Sequence, residues 1–147
     1  FPVATVFISI FLNLAFSVGH ANPLKRKDVI PAEERNPIIE ASKLLKEYLS
    51  MHNRKLTLEY TLLKNTNEDL ASLKALRNLA KYLDAKVNMI NLNPHPKIPH
   101  QPVDKETLIK CSKWLNKEGV VSTIRFAKGD EVTAACGQLG ESHLTTA

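Results

Sequence analysis

The sequence predicts an α/β fold in which parallel strands alternate with helices, and two observations carry that prediction. After Lys25, short strand-like stretches alternate with stretches of helical periodicity, the order that β-α-β units produce. Between Asn91 and Pro102 a loop with four prolines in nine residues leaves the end of one such strand, a place where α/β folds hold ligands. The 147 residues suit one domain, not two. With 44% hydrophobic and 24% charged residues the chain is neither a disordered tail nor a collagen-like repeat, and two cysteines cannot build a disulfide scaffold.

The elements follow in order. The first 24 residues carry no formal charge, although the chain holds 20 Lys+Arg and 15 Asp+Glu and a net +5. This β-branched, aromatic block reads as a buried strand, and two other readings stay open on its residues alone. A secretory signal would use Gly19-His20-Ala21 as its small-x-small site but lacks a basic start, and a membrane span needs about 20 apolar residues, only just available here. The chain begins with Phe1, so a piece of a longer protein is expected.

The first helix is expected to start with Asn36 as N-cap and Pro37 at its first position, carrying Ile38, Ala41, Leu45 and Leu49 on one stripe. Leu56–Leu63 alternates apolar and polar, the period of a strand, and Asn65-Thr66-Asn67 supplies a turn and a cap for the next helix. A second helix from Glu68 to Leu83 has an acidic first turn and a leucine face of Leu70, Leu73, Leu76, Leu79 and Leu83. Ala85–Leu92 is the next strand and the proline loop follows, since neither a helix nor an interior strand tolerates that density of proline. Asp104 caps a third helix with Leu108, Cys111 and Leu115 inward, Gly119 stops it, and Val120–Phe126 is the last strand.

Few residues suggest chemistry by their pattern. Cys111 sits on a helical apolar stripe and reads as a small buried hydrophobe. Cys136 lies in Ala134-Ala135-Cys136-Gly137-Gln138, where small neighbours would admit a bulky substrate to the sulfur. No HExxH motif, phosphate-binding glycine loop or Cys-x-x-Cys pair is present. His95 reads as a solvated loop residue, and Lys25, Arg26, Lys27, Lys43 and Lys46 could face phosphates but read more simply as a solvated surface.

Several strings together resemble the RlmN and Cfr radical S-adenosylmethionine RNA methyltransferases. Lys128-Gly129-Asp130-Glu131 followed by Ala134-Ala135-Cys136-Gly137-Gln138-Leu139 resembles that family's C-terminal signature. Leu58-Glu59-Tyr60-Thr61-Leu62-Leu63-Lys64 resembles its strand FEYVLLKG, Val87-Asn88-Met89-Ile90 with Asn91-Leu92-Asn93-Pro94 resembles VNLIPFNP, and Leu14-Ala15-Phe16-Ser17 resembles the start of LAISLHAP. The register runs from Leu14 to Leu139 almost without gaps, while residues 1–13 match poorly.

The resemblance implies the last half of a partial (β/α)6 TIM-like barrel, with residues 14–147 as the C-terminal part of the methyltransferase domain. It implies Cys136 as the methyl-carrying catalytic cysteine, and Ser17, Val18, Gly19 and Asn93 as contacts to S-adenosylmethionine. It further implies a 4Fe-4S cluster with its reductant, 23S rRNA and tRNA as substrates methylated at adenine C2, and a cytoplasmic enzyme with neither a membrane nor an obligate protein partner. A tethered carbon radical would explain why a cysteine is needed to methylate an electron-poor ring carbon.

Departures temper the expectation. Ser17-Val18-Gly19 stands where Ser-Leu-His is usual, with His20 one place late, and Asn65 and Lys97 replace glycines. The CxxxCxxC motif that holds the cluster is absent from a chain with two cysteines, so this chain alone is expected to be inactive. A truncated or degenerate paralogue, a C8-methylating Cfr-like enzyme and an exported protein are the alternatives.

Overall fold

Strand alternation and helix periodicity resolve into a four-stranded sheet with its helices on one side. The computed structural model describes residues 14–126; residues 1–13 and Cys136 lie outside them. The elements are β1 (Leu14–Ser17), α1 (Pro23–Val29), a 3-10 turn (Pro31–Glu34), α2 (Ile38–Met51), β2 (Leu56–Leu62), α3 (Leu70–Leu83), β3 (Lys86–Asn91), α4 (Lys105–Lys117) and β4 (Ser122–Arg125). The strands lie in the order β1-β2-β3-β4 and every pairing is parallel, as the α/β reading requires. Leu14–Ser17 therefore extends a sheet and is not part of a helical signal or span. No helix among the described residues is long and apolar enough to cross a membrane.

The period of two sorts side chains between the faces. On β2, Leu56, Leu58, Tyr60 and Leu62 are buried while Thr57, Glu59 and Thr61 are half-buried. The buried set meets Leu45 of α2, Leu73, Leu76 and Leu83 of α3, and Leu108 and Leu115 of α4 in one core. Truncating one such leucine to alanine costs about 2–5 kcal/mol. The opposite face has no helix on it among the described residues. A parallel sheet is usually covered on both faces, so this open polar side is the place to look for a site.

The helix signals differ in detail from expectation. α1 was not expected, yet Asn22 caps it, accepting from the Leu24 N–H at 3.0 Å with Pro23 as its first residue. At Asn36-Pro37 the same dipeptide does not cap. The Glu33 carboxylate takes the Ile38 N–H of α2 instead, at 3.1 Å, and the Asn36 Nδ2 is buried without a partner among the described residues. α3 starts after its cap, Asp69, and Leu70 is 52% exposed, so Ala80 joins the buried face in its place. Asn65 does adopt the left-handed conformation, with φ of 56°.

Candidate functional site

Because all four strands are parallel, their carboxyl ends share one edge of the sheet. The turns that leave this edge are 18–22 after β1, 63–69 after β2 and 92–104 after β3. Their backbone groups are tied together by polar side chains, and those ties decide which groups stay available.

Asn67 is the central tie. It is wholly buried, its Oδ1 accepts from the Leu63 N–H at 2.8 Å, and its Nδ2 donates to the carbonyls of Thr61 at 2.8 Å and Gly19 at 3.0 Å. The Tyr60 hydroxyl donates to the Asn67 carbonyl at 2.9 Å, and burial raises the phenol above its ordinary range. Gly19 has φ of 69°, and a Cβ there would lie 2.5 Å from Ile30 Cδ1, so only glycine fits.

His20 is buried beneath the same turn. Its Nδ1 accepts from the Asn22 N–H at 3.0 Å, which leaves Nε2 as the protonated nitrogen facing Ser72 Oγ at 3.0 Å. The Ser72 hydroxyl donates onward to Asp69, whose carboxyl is held below its usual range mainly by that bond. Burial lowers the His20 pKa, Lys25 lowers it further and Asp69 opposes. The displaced histidine thus has a structural place and does not face the open side of the sheet.

Ser17, Val18 and Gly19 lie at the end of β1 and Asn93 past the end of β3, on one edge of the sheet with β2 between them. Ser17 is the last residue of β1 and is exposed. Val18 is fully buried, and its backbone is engaged on both sides: its N–H donates to the Glu59 carbonyl at 3.0 Å and its carbonyl accepts from Arg26 Nε at 2.7 Å. Arg26 is itself buried and paired with Glu33, so it is not a surface cation for phosphates; Lys25, Lys27, Lys43 and Lys46 are exposed. Asn93 is exposed, two residues past β3, in the proline loop. That loop is clasped by Asn91, whose side chain donates to the Val103 carbonyl at 3.0 Å and accepts from the Val103 N–H at 3.2 Å. His95 is exposed.

A polar row crosses the open face below these ends. Ser17, Glu59, Asn88 and Thr123 are register partners on β1 to β4. Asn88 Nδ2 donates to Glu59 Oε2 at 3.1 Å, and Thr123 Oγ1 donates to Asn88 Oδ1 at 3.2 Å. Sequence reading passed over this row. Each member is one of several polar residues in its strand, and only the register aligns them.

The face fits an adenosyl amino acid, a ligand with several donors and acceptors, since neutral, acidic and basic side chains share it next to exposed strand ends. An iron–sulfur cluster does not fit the described residues. Cys111 is buried on α4 with its Sγ against the Glu68 carbonyl at 3.9 Å, and burial pushes its thiol up to about 11. No group of three or more metal-ligating side chains occurs among the described residues.

Comparisons with known proteins add an independent line. No family model matches the chain. It is 35% identical over 127 residues to a dual-specificity RNA methyltransferase RlmN of Parvibaculum lavamentivorans, covering 86% of this chain and 32% of that protein. A probable RlmN of Thermus thermophilus is 36% identical over 128 residues, covering 87% of this chain and 36% of its own length. The crystal structure of a radical SAM methyltransferase from Sphaerobacter thermophilus superposes with a TM-score of 0.76 and 31% identity, covering 87% of this chain and 38% of that one. The chain thus spans about a third of the length of the curated relatives it matches.

Proposed function

We propose that this chain, a relative of the RlmN radical SAM RNA methyltransferases over 86% of its length, is the C-terminal part of such an enzyme. The observation that carries the reading is the coincidence of that sequence match with an all-parallel sheet that has one uncovered face and that carries Ser17, Gly19 and Asn93 along its carboxyl-end edge. S-adenosylmethionine, when bound, supplies the methyl group that the reaction transfers. Ser17 offers a hydroxyl and Asn93 a carboxamide to it, while Val18 and Gly19 shape the turn between them. The 4Fe-4S cluster and its reductant belong to other parts of the enzyme, since this chain has two cysteines and no thiolate set.

Cys136 is the methyl carrier in this reading. Its sulfur holds the methyl group next to an adenosine, which turns an encounter between cofactor and RNA into a reaction between neighbours. The substrates are an adenosine of 23S rRNA and tRNA, methylated at C2 in the cytoplasm, with no obligate protein partner. The test uses the whole enzyme isolated anaerobically. Digestion and mass spectrometry should find S-methylation on the Cys136 peptide, and nucleoside analysis of the treated RNA should find 2-methyladenosine. A thiol that stays unmodified overturns the assignment of Cys136, and 8-methyladenosine moves the target to C8.

A second reading is a truncated or degenerate paralogue without catalysis. A cluster motif elsewhere in the same gene product separates the enzyme from that paralogue.

A further inference from the structure

The polar row contains a carboxylate that the proposed chemistry has not used. Glu59 stands in the middle of β2, directly beside Ser17 in the register, and both side chains share the open face. Neighbouring strands are about 4.8 Å apart, so a ligand touching Ser17 is within reach of Glu59. One carboxylate oxygen is already positioned, because Oε2 accepts from Asn88 and Asn88 is oriented in turn by Thr123. No described residue donates to the other oxygen, Oε1. A half-buried acceptor oriented by two successive hydrogen bonds but left with an open oxygen is a group awaiting a donor.

The surroundings decide what kind of donor. The other members of the row are a hydroxyl, a carboxamide and a second hydroxyl, all neutral. Lys86 and Arg125 share this face, as register partners of Thr57 and Ile90, and neither is ion-paired with Glu59 among the described residues. A face of this balance suits vicinal hydroxyls better than a free cation, as the acidic residue of the dinucleotide-binding α/β fold accepts from a ribose hydroxyl. We infer that Glu59 is a ligand-contacting residue whose carboxylate accepts hydrogen bonds from the ribose hydroxyls of S-adenosylmethionine, held for that task by Asn88. This rests on the reading that the open face forms one wall of the S-adenosylmethionine site.

Calorimetric titration of the whole enzyme, isolated anaerobically, with S-adenosylhomocysteine and with its 2′-deoxy and 3′-deoxy analogues tests it. The wild type should bind S-adenosylhomocysteine about tenfold or more tightly than the weaker deoxy analogue, because a site built around a hydroxyl rejects its absence. Glu59→Gln should lose about that factor toward S-adenosylhomocysteine and no longer discriminate among the three. Equal wild-type affinity for all three ligands, or a Glu59→Gln protein that binds and discriminates as the wild type does, overturns the role of Glu59 and leaves the wider site standing. Failure of the wild type to bind S-adenosylhomocysteine at millimolar concentration overturns the wider site as well. The wild-type comparison needs no mutant, so a variant that fails to fold leaves the inference open to refutation.

Discussion

Arg26 and His20 show how polar groups are placed beneath the turn that follows β1. Arg26 donates to the Val18 carbonyl and pairs with Glu33, whose carboxylate also takes the Ile38 N–H, so one buried pair ties β1 to the start of α2. Removing one partner of such a pair costs about 3–5 kcal/mol, because the other charge is left buried alone. Nothing in the Lys25-Arg26-Lys27 triplet distinguishes the buried cation from its exposed neighbours. The distinction depends on Glu33 approaching from another element. His20 makes a testable pH prediction. Its folded pKa lies below the ordinary 6.5, so the unfolded chain takes up the proton first as pH falls. Stability from the neutral imidazole is therefore complete above about 6.5 and declines below that value until the lowered folded pKa is reached. Urea unfolding at pH 7.5 and 5.5 should show a larger loss for the wild type than for His20→Asn, whereas parallel losses contradict the neutral, buried assignment.

At the scale of elements, legibility followed whether the signal was local. β2 was readable because strict alternation needs only its own residues, α4 because its cap Asp104 immediately precedes it, and α3 from its leucine periodicity, although Asp69, expected inside an acidic first turn, is its cap. Two of the three Asn-Pro dipeptides show the limit. Asn22-Pro23 opens α1, while at Asn36-Pro37 a carboxylate from the preceding 3-10 turn takes over the capping. The proline loop was expected from composition alone, yet what holds it is the pair of hydrogen bonds from Asn91 to Val103. Asn91→Ala should remove about 1–2 kcal/mol at that clasp and speed tryptic cleavage after the exposed Lys97. An unchanged cleavage rate would mean that the prolines alone hold the loop and that Asn93 does not depend on the clasp.

For the molecule as a whole, the parallel strands alternating with helices were legible, the uncovered face was not, and the strand-end candidates Ser17, Val18, Gly19 and Asn93 came from the family resemblance. The row of Ser17, Glu59, Asn88 and Thr123 was not legible, because no single strand contains it and only the register of four strands brings it together. The central claim is that the uncovered face and the strand ends above it form one wall of an S-adenosylmethionine site. Amide chemical-shift mapping of the isotopically labelled whole enzyme with S-adenosylhomocysteine tests this most directly. The account predicts that shifts concentrate at residues 17–19, 59, 88 and 91–93, while the outer surfaces of α2, α3 and α4 stay silent. Shifts confined to those helices, or none at saturating ligand, would contradict it.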